Sequence, residues 1–250
     1  MLENNKIYLG DCLEVMKNIK NKSIDMVLCD LPYGTTACKW DSIVSFKSLW
    51  EQYERIIKGN GAIVLFGVEP FSSYLRLSNE KLYRYDWIWE KDRHANFLFA
   101  NKMPLKKHEI VSVFYKHLPT YNPQMTEGKK NNSMFKKGVT YKTEYKELMN
   151  QDVKMTEGKQ DGLKFPSTVQ FFKCIGKGKN MHPTQKPVPL LEYLIRTYTN
   201  EDQIVVDNCM GVGSTPVACI NTNRNYIGIE KNETYFNIAK ERINKYCVGS

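Results

Sequence analysis

The sequence predicts an α/β fold in which helices cover both faces of a mostly parallel sheet. Three almost continuously apolar runs, MVLCD, AIVLFG and IVVD, are each long enough for one strand. Amphipathic stretches separate these runs, and a glycine turn follows the third. Strands that are apolar on both sides are typical of a parallel sheet buried between two helical layers. With 42% hydrophobic residues, the 250-residue chain can form such a core.

Residues 1–116 predict the first series of strands and helices. KIYLG is a short strand, and residues 11–20 place their apolar side chains on one helical face. MVLCD is a buried strand that ends in the loop LPYGTT. Residues 46–58 predict a second amphipathic helix, which Gly59 and Gly61 should end before the strand AIVLFG.

Residues 181–250 return to the same alternation. A helix is expected over residues 187–199, followed by the strand IVVD and the turn NCMGVGS. The next helix should begin near Thr215, because Pro216 is tolerated in a first helical turn. NYIGIE then predicts a strand, and TYFNIAKERINKY predicts the last helix.

The middle segment, residues 117–180, differs from both flanks. It is rich in Lys, Asn, Gly and Thr and has weak periodicity, which predicts a basic insertion between two halves of one domain, 1–116 and 181–250. Residues 102–180 hold 16 Lys and 7 acidic residues, and this surplus equals the net charge of the whole chain, +9. Such concentrated charge favours a polyanionic partner, because phosphate contacts release counterions. A solvated Lys-rich loop is the alternative.

The turn after IVVD predicts a nucleoside site. Gly211 and Gly213 allow the backbone to approach a ligand closely, and Glu230 ends the next strand about 20 residues later, where an acid accepts hydrogen bonds from ribose hydroxyls. The third glycine of a dinucleotide site is missing, which disfavours an NAD-dependent oxidoreductase. Asp207 before the turn suits a cationic ligand, such as the amino end of S-adenosylmethionine.

The segment Asp30-Leu31-Pro32-Tyr33 follows the apolar strand MVLCD. An exocyclic amine of a base is a poor nucleophile, and a carboxylate together with a backbone carbonyl can hold both of its hydrogens. Pro32 fixes the turn, and Tyr33 offers a ring on which an extruded base can stack. Taken alone, the segment is better explained as an ordinary turn after a strand.

Together these motifs resemble the amino-methyltransferase family of DNA enzymes. The family signature (D/N/S)-P-P-(Y/F/W) stands here as DLPY, with Leu31 in place of the first proline. The family cofactor motif D-P-F-x-G-S-G-T corresponds to residues 207–214, which lack the phenylalanine. The family segment H-P-T-x-K-P is kept as HPTQKP, residues 182–187, where it helps wall the methionine end of the cofactor.

The order of these motifs resembles the permuted β-group of the family. The catalytic motif comes first, the basic segment next and the cofactor motif last. The resemblance implies a Rossmann-like S-adenosylmethionine-dependent methyltransferase fold with circularly permuted motifs. It also implies that GDCLE continues spatially from the Glu230 strand, so that Asp11 meets the adenine moiety of the cofactor.

These arguments assign residues to three roles, and no metal site is expected because no CxxC pair occurs. Catalysis is assigned to Asp30, Leu31, Pro32 and Tyr33. Cofactor binding is assigned to Asp11, Cys12, Asp30, His182, Thr184, Lys186, Asp207, Asn208, Cys209, Gly211, Gly213, Ser214, Thr215 and Glu230. DNA binding is assigned to Arg93 and His94, in a loop KDRHANF at the active edge of the sheet, and to Lys129, Lys130, Lys136 and Lys137.

The resemblance implies methyl transfer from S-adenosylmethionine to N6 of adenine in duplex DNA. Cytosine N4 is an alternative target, although Asp30 favours adenine and Ser is commoner in cytosine enzymes. Cytosine C5 chemistry would need a nucleophilic Cys, typically after Pro, and no Pro-Cys pair occurs. An RNA methyltransferase and a non-catalytic DNA-binding protein on the same scaffold stay open.

Composition also suggests where the protein works. No run of 18 apolar residues occurs, which disfavours a membrane span, and the polar N-terminal stretch does not resemble a signal peptide. We therefore expect a cytoplasmic protein with reduced thiols. Double-stranded DNA is the expected partner, while a homodimer and a cognate restriction endonuclease are open.

Overall fold

The computed structural model describes residues 1–34, 44–128, 162–176 and 185–247. The chain forms two compact units, one of Met1–Asn122 with Thr168–Ser250 and one of Pro123–Ser167. The second unit lies within the segment that was predicted to be an insertion. Residues 169–171 of that segment differ from the expectation, because they form a strand of the first unit.

The elements of the first unit alternate along the chain as predicted. Its strands are β1 (Lys6–Leu9), β2 (Ile24–Asp30), β3 (Ile57–Gly67), β4 (Tyr83–Ala95), β5 (Lys106–Phe114), β8 (Val169–Phe171), β9 (Ile204–Asp207) and β10 (Asn225–Glu230). Its helices are α1 (Cys12–Met16), α2 (Phe46–Ile56), α3 (Phe71–Ser78), α4 (Val188–Tyr198), α5 (Ser214–Asn221) and α6 (Glu233–Cys247). The described part of the second unit is a short antiparallel ladder of β6 (Thr126–Glu127) and β7 (Leu163–Lys164).

The described strands of the first unit form one sheet in the order β1-β10-β9-β2-β3-β5-β4-β8. The five strands from β1 to β3 are parallel, β5 is antiparallel to β3 and β4, and β8 is parallel to β4. The predicted mostly parallel sheet is therefore confirmed. MVLCD and IVVD are neighbours in it, with Met26 opposite Val205.

The permuted arrangement is visible at the sheet edge formed by β1. This N-terminal strand pairs in parallel with β10 from the C-terminal part, with Leu9 opposite Glu230. The amide of Gly10 donates to the Glu230 carbonyl oxygen over 2.9 Å, so the chain after β1 begins beside the end of β10. The expected spatial continuity between GDCLE and the Glu230 strand is therefore present.

Helices cover both faces of the sheet. Strand β2 contributes side chains to the hydrophobic core on each face. Met26 and Leu28 pack into the core that faces α4, α5 and α6, whereas Val27 and Cys29 pack into the core that faces α1, α2 and α3. Side chains alternate between the faces of a strand, so a strand buried on both sides is apolar at nearly every position. None of the described helices is long and apolar enough to span a membrane.

Three expected boundaries differ from the structure. Helix α1 ends at Met16 rather than residue 20. Strand β3 begins at Ile57 and includes both Gly59 and Gly61, because Ile57 is already extended and pairs with Ile24 of β2. The supposed loop KDRHANF is wrong for its first part, because β4 continues to Ala95, which pairs with Lys106.

Tyr198 joins α4 to the antiparallel part of the sheet and supplies a test of the fold. Its buried hydroxyl accepts a hydrogen bond from Trp87 Nε1 over 2.6 Å and lies 2.8 Å from the Tyr85 hydroxyl. In Tyr198→Phe the buried Trp87 N–H loses its partner, which should lower the free energy of unfolding by about 1–3 kcal/mol. Urea denaturation measures this loss, with the exposed Tyr74→Phe as the matched control. Equal stability of the two variants would contradict this role.

Candidate active site

Three carboxyl groups end three parallel strands at the same edge of the sheet. Asp30 ends β2, Asp207 ends β9 and Glu230 ends β10. Because these strands are parallel, their carboxyl ends lie together, and in open α/β sheets ligands bind at this edge. A pocket of about 630 Å³ opens there and is lined by all three residues. The predicted catalytic and cofactor motifs thus share one pocket.

Glu230 is held by the glycine turn across the pocket. Its Oε2 accepts from the Gly211 amide over 2.9 Å, and its Oε1 accepts from the Asn232 amide over 2.7 Å. Burial raises the pKa of Glu230 above its usual range although these amides favour the charged form. Each carboxylate oxygen has a further lone pair, so Glu230 can accept hydroxyl donors from a ligand.

Asp207 is buried beneath the turn and is bound on both oxygens. The Cys209 amide donates to Oδ1 over 3.1 Å, and the Thr215 hydroxyl donates to Oδ2 over 2.5 Å. Burial raises the pKa of Asp207 to about 7, although both donors oppose this rise. Asp207 therefore organises the turn and the start of α5, in addition to facing the pocket.

The two glycines of the turn have different surroundings. Both have left-handed φ angles, +53° at Gly211 and +76° at Gly213, which disfavour any residue with a Cβ. A Cβ at Gly211 would meet no atom within 4 Å, whereas one at Gly213 would crowd Ala239 of α6 at 3.1 Å. Gly211 lines the pocket, and Gly213 instead allows close packing of α6 against the turn.

The N-terminal motif closes one end of the pocket. Asp11 Oδ1 accepts from the Leu13 amide over 3.0 Å and caps α1, while its Oδ2 accepts from Lys231 Nζ over 3.3 Å. Asp11, Cys12 and Lys231 line the pocket next to Glu230. Asp11 and Glu230 therefore belong to the same end of the pocket.

Asn208 and Cys209 replace the proline and phenylalanine of the family motif. Asn208 is buried, and its Oδ1 accepts a 2.6 Å hydrogen bond from the Tyr53 hydroxyl of α2. The Cys209 side chain packs against the core that contains Cys12 and Cys29, and its Sγ accepts from Asn208 Nδ2 over 3.5 Å. The turn is thus fastened to the helical layer of the N-terminal part by polar contacts rather than by an aromatic ring.

Asp30 is the centre of the catalytic end of the pocket. Its Oδ1 accepts a hydrogen bond from the Tyr33 hydroxyl, and its Oδ2 accepts one from Lys186 Nζ. Burial raises the pKa of Asp30, and Lys186 opposes that rise. The Tyr33 ring packs on Phe71 with centroids 4.9 Å apart, and Lys186 Nζ lies 5.1 Å from the Phe66 ring centroid.

Leu31 and Pro32 both line the pocket but differ in burial. The Leu31 side chain is 3% exposed and belongs to the core beneath α1, α2 and α3. Pro32 is partly exposed and lines the pocket. Leucine at the position of the family's first proline therefore adds an apolar anchor to the core, while the next residue keeps the proline beside the site.

Glu109 is a site residue that sequence analysis missed. It lies on β5, where its Oε2 is 3.4 Å from Lys186 Nζ, and its Oε1 accepts from Lys91 Nζ. Burial alone would raise the pKa of Glu109, but the two ammonium groups outweigh it and lower the pKa. The available signal was a carboxylate directly before the apolar run IVSVF, at the sheet edge that carries Asp30.

The remaining assigned residues include one that lines the pocket, two that lie away from it and six that lie outside the described residues. Arg93 and His94 are exposed on the last part of β4, and Arg93 Nε lies 3.7 Å from Asp92 Oδ2. Ser214 lines the pocket and accepts from Arg242 over 3.0 Å. Outside the described residues lie His182, Thr184, Lys129, Lys130, Lys136 and Lys137. Among the described residues, no group of His, Cys, Asp or Glu has the arrangement of a metal site.

A model of the DNA methylase family N6_N4_Mtase matches residues 24–241, which include Asp30, Asp207 and Glu230 of the pocket. The chain belongs to this family. This match confirms the resemblance to DNA amino-methyltransferases that the motifs indicate.

Individual relatives agree with this membership. The Type II methyltransferase M.HpaI of Haemophilus parainfluenzae is 25% identical to this methylase over 98% of the chain and 76% of its own length. The crystal structure of the M1.HpyAVI–SAM complex is 26% identical, with a TM-score of 0.66, and the match covers 96% of this chain and 98% of that one. The cytosine-N4-specific PvuII DNA methyltransferase is 17% identical with a TM-score of 0.67, covering 98% and 92%, and shows the shared fold alone.

The raised pKa of Asp207 predicts how the stability of the methylase depends on pH. Between its ordinary value of 3.8 and about 7, the folded protein holds a proton on Asp207 that the unfolded chain has lost. The unfolding free energy of the parent should therefore fall, relative to that of Asp207→Asn, as pH rises through this window. The slope should be at most about 1.4 kcal/mol per pH unit, and the difference should be flat above pH 7.

Denaturant titrations of both proteins at several pH values measure this difference. The exposed Asp202→Asn, measured over the same series, reports the effect of removing a surface carboxylate. A parent-minus-variant difference for Asp207→Asn that does not change with pH would show that Asp207 is ionised throughout.

Proposed function

We propose that this DNA methylase transfers a methyl group from S-adenosylmethionine to the exocyclic N6 of adenine in duplex DNA. The observation that carries the proposal is the single pocket that joins Glu230, an acceptor for sugar hydroxyls, to Asp30 and Tyr33, an acceptor and a ring for a base. Membership of the DNA methylase family supports the reaction class. A relative of 26% identity has been crystallised with the same cofactor.

The charges of the pocket fit a cationic cofactor. The carboxyl groups that line it are those of Asp11, Asp30, Asp207 and Glu230, and they outnumber the two lysines, Lys186 and Lys231. Buried carboxyl groups with raised pKa values gain stabilisation when a positive charge comes near them. S-Adenosylmethionine carries a sulfonium and an ammonium, and when bound it supplies an electrophilic methyl group.

Glu230 and Asp11 are proposed to hold the nucleoside part of the cofactor. Glu230 would accept the ribose hydroxyls, while Asp11 and Lys231 would flank the adenine. The Cα side of Gly211 would face the ligand, because a Cβ at this position would meet no atom within 4 Å. His182 and Thr184, which lie outside the described residues, keep their proposed place beside the methionine end.

Asp30 and Tyr33 are proposed to prepare the target amine. Asp30 would accept hydrogens of the exocyclic nitrogen and favour a more tetrahedral geometry, so that the lone pair points at the methyl carbon. The new N–C bond forms as the C–S bond breaks, the bonding pair returns to sulfur, and one amine hydrogen leaves as a proton. Tyr33 would support the extruded base by stacking, and this alignment supplies much of the rate.

Adenine is proposed over cytosine because Asp stands at position 30. N4 of cytosine is the second candidate, since its amine needs the same acceptor and the fold is shared with a cytosine-N4-specific enzyme. The two candidates differ in the methylated base that they produce.

DNA contacts are proposed for the basic middle segment and for the hairpin that joins β4 and β5. Arg93 and His94 lie on this hairpin, exposed, at the end of the sheet where Glu109 and Asp30 also lie. Lys129, Lys130, Lys136 and Lys137 are proposed to add phosphate contacts. Relatives named Type II methyltransferases support a cognate restriction endonuclease as a proposed partner.

The cofactor assignment is tested at Glu230. Glu230→Gln keeps the size of the side chain but removes the charged acceptor, so the affinity for S-adenosylmethionine should fall about 10- to 100-fold, the loss expected for hydrogen bonds to a charged group. Titration calorimetry measures it. Glu233→Gln, at the exposed start of α6, is the matched control and should bind as the parent does. Parental affinity in Glu230→Gln would refute the assignment.

The catalytic assignment is tested at Asp30. The parent should place tritium from labelled S-adenosylmethionine into unmethylated genomic duplex DNA in a single turnover, and nuclease digestion with mass spectrometry should find N6-methyldeoxyadenosine. Asp30→Ala should abolish this transfer while the protein stays folded. Asp30→Asn should retain a trace, because an acceptor oxygen remains.

Tyr33 supplies the graded comparison for the same experiment. Tyr33→Phe keeps the ring and should be mild, whereas Tyr33→Ala should be severe because stacking on the base is lost, a loss of roughly 1–3 kcal/mol. Recovery of N4-methyldeoxycytidine would select the second candidate. Near-parental transfer by Asp30→Ala would overturn the mechanism for either base.

A further inference from the structure

Lys186 lies between two partly buried carboxylates rather than beside one. It is 6% exposed and immediately precedes Pro187, the N-cap of α4. Its Nζ donates to Asp30 Oδ2 and lies 3.4 Å from Glu109 Oε2. Burial would lower the pKa of Lys186, but the two carboxylates outweigh it and raise the pKa, so Lys186 is a cation.

The Oε2 atom of Glu109 accepts no hydrogen bond from any described residue. Among the described residues, its Oε2 is one of few buried side-chain oxygens without a hydrogen bond, while its Oε1 is bound by Lys91. A buried, unsatisfied carboxylate oxygen costs free energy, and such atoms call for an explanation in strain, function or an absent partner. Lys186 Nζ is the cation within reach of this oxygen.

By contrast, both carboxylate oxygens of Asp30 already accept hydrogen bonds from strong donors. The Tyr33 hydroxyl occupies Oδ1, and the Lys186 ammonium occupies Oδ2. Each oxygen keeps a further lone pair, but the bound ammonium weakens Asp30 as an acceptor for a neutral amine, and this effect is relieved when the ammonium gains another acceptor. The structure places that second acceptor on Glu109.

We propose that Glu109 is a positioning residue for methyl transfer, which takes Lys186 from Asp30 when the target amine enters the site. This inference rests on the proposed function and adds to it the step that frees Asp30. A shift of Lys186 Nζ toward Glu109 Oε2 would satisfy the unpaired oxygen and leave Asp30 Oδ2 to the amine. No charge is created or lost in the shift, since Lys186 stays between the same two anions.

Among the residues that the structure describes, Lys186 is the one cation bound to Asp30. The titratable groups that face Asp30 are Lys186 before α4, Glu109 on β5, Tyr33 in its own motif, Cys29 on β2 and Asp207 on β9. Of these, only Lys186 is a cation. Glu109 is further held by Lys91, whose Nζ lies 4.6 Å from the Trp89 ring centroid.

The position of Lys186 should appear in the pH profile of the reaction, because Asp30 must be ionised to accept the amine. In Lys186→Gln, Asp30 loses its cation and becomes harder to ionise, so the acid limb of the profile should move to higher pH. In Glu109→Gln, Asp30 loses a neighbouring anion and keeps Lys186 fully, so the acid limb should move to lower pH. Opposite shifts show that both side chains act on the ionisation of Asp30, and the rates then test whether Lys186 moves.

The rates distinguish the transfer of Lys186 from simple charge effects. Glu109→Gln should slow single-turnover methylation about 10- to 100-fold at the plateau of its profile, because Lys186 has no charged acceptor to move to. Its affinity for S-adenosylmethionine should stay within about twofold of the parent. Glu109→Asp, which keeps the charge on a shorter side chain, should recover part of the rate.

The experiment uses the full chain, unmethylated genomic duplex DNA and tritium-labelled S-adenosylmethionine from about pH 5 to 9, a range chosen to bracket a carboxyl group with a raised pKa. Glu90→Gln is the matched control, because Glu90 forms a partly exposed ion pair with Lys107 in the same pair of strands. It should keep the parental rate and profile. Melting temperatures identify variants that fail to fold, and for these Glu109→Asp decides the outcome by its rate and profile.

The outcomes separate this inference from the proposed function. A parent that transfers no methyl group would overturn the proposed function and this step with it. An active parent whose Glu109→Gln variant keeps the parental rate and acid limb would overturn this inference alone. Acid limbs that move in the same direction in Glu109→Gln and Lys186→Gln would also overturn it.

Discussion

The pairing of β2 with β9 is the contact on which the rest of the site depends. Val27 lies opposite Val206 in the middle of the sheet, although the two residues are far apart in the chain. This parallel pairing brings the end of β2, with Asp30, next to the end of β9, with Asp207. The pocket takes residues from both the N-terminal and the C-terminal part of the chain. It can therefore form only when both parts belong to one sheet, and parallel strands allow this because they are joined by long crossover connections. The permuted motif order is compatible with the fold because strand adjacency, rather than chain order, assembles the pocket.

The sequence was sufficient for those features that depend on short-range pattern. MVLCD and IVVD are apolar on both faces, which identified buried parallel strands, and the positions of Asp30 and Glu230 after such strands identified the active edge. Helix α2 has its buried residues three or four positions apart, so its periodicity was clear. The family membership followed from four motifs in a consistent order.

Other features depend on pairing partners that the local sequence does not reveal. Gly59 and Gly61 looked like a helix stop, but β3 gains its hydrogen bonds from β2 through Ile57 and so begins earlier. Arg93 and His94 looked like loop residues, but pairing with β5 extends β4 past them. Glu109 carried no motif at all, and its role in the site arises from the approach of Lys186, 77 positions later in the sequence. Long-range contacts of this kind override local preference.

The carboxyl groups of the pocket lower the stability of the free protein but favour the binding of a cation. Asp30, Asp207 and Glu230 all have pKa values raised first by burial, so the free protein holds them in a setting that disfavours their charged forms. Only Asp30 has a buried ammonium group, that of Lys186, directly bound to it. A cation that enters between these groups therefore removes an unfavourable interaction as well as forming new contacts, and anything that binds the folded state alone also stabilises it. The glycine turn suits this task, since its amides and the Thr215 hydroxyl keep the acids fixed in place before a ligand arrives. Burial of these carboxyl groups thus lowers the stability of the free protein. A positively charged ligand that binds between them can supply the stabilisation that is missing.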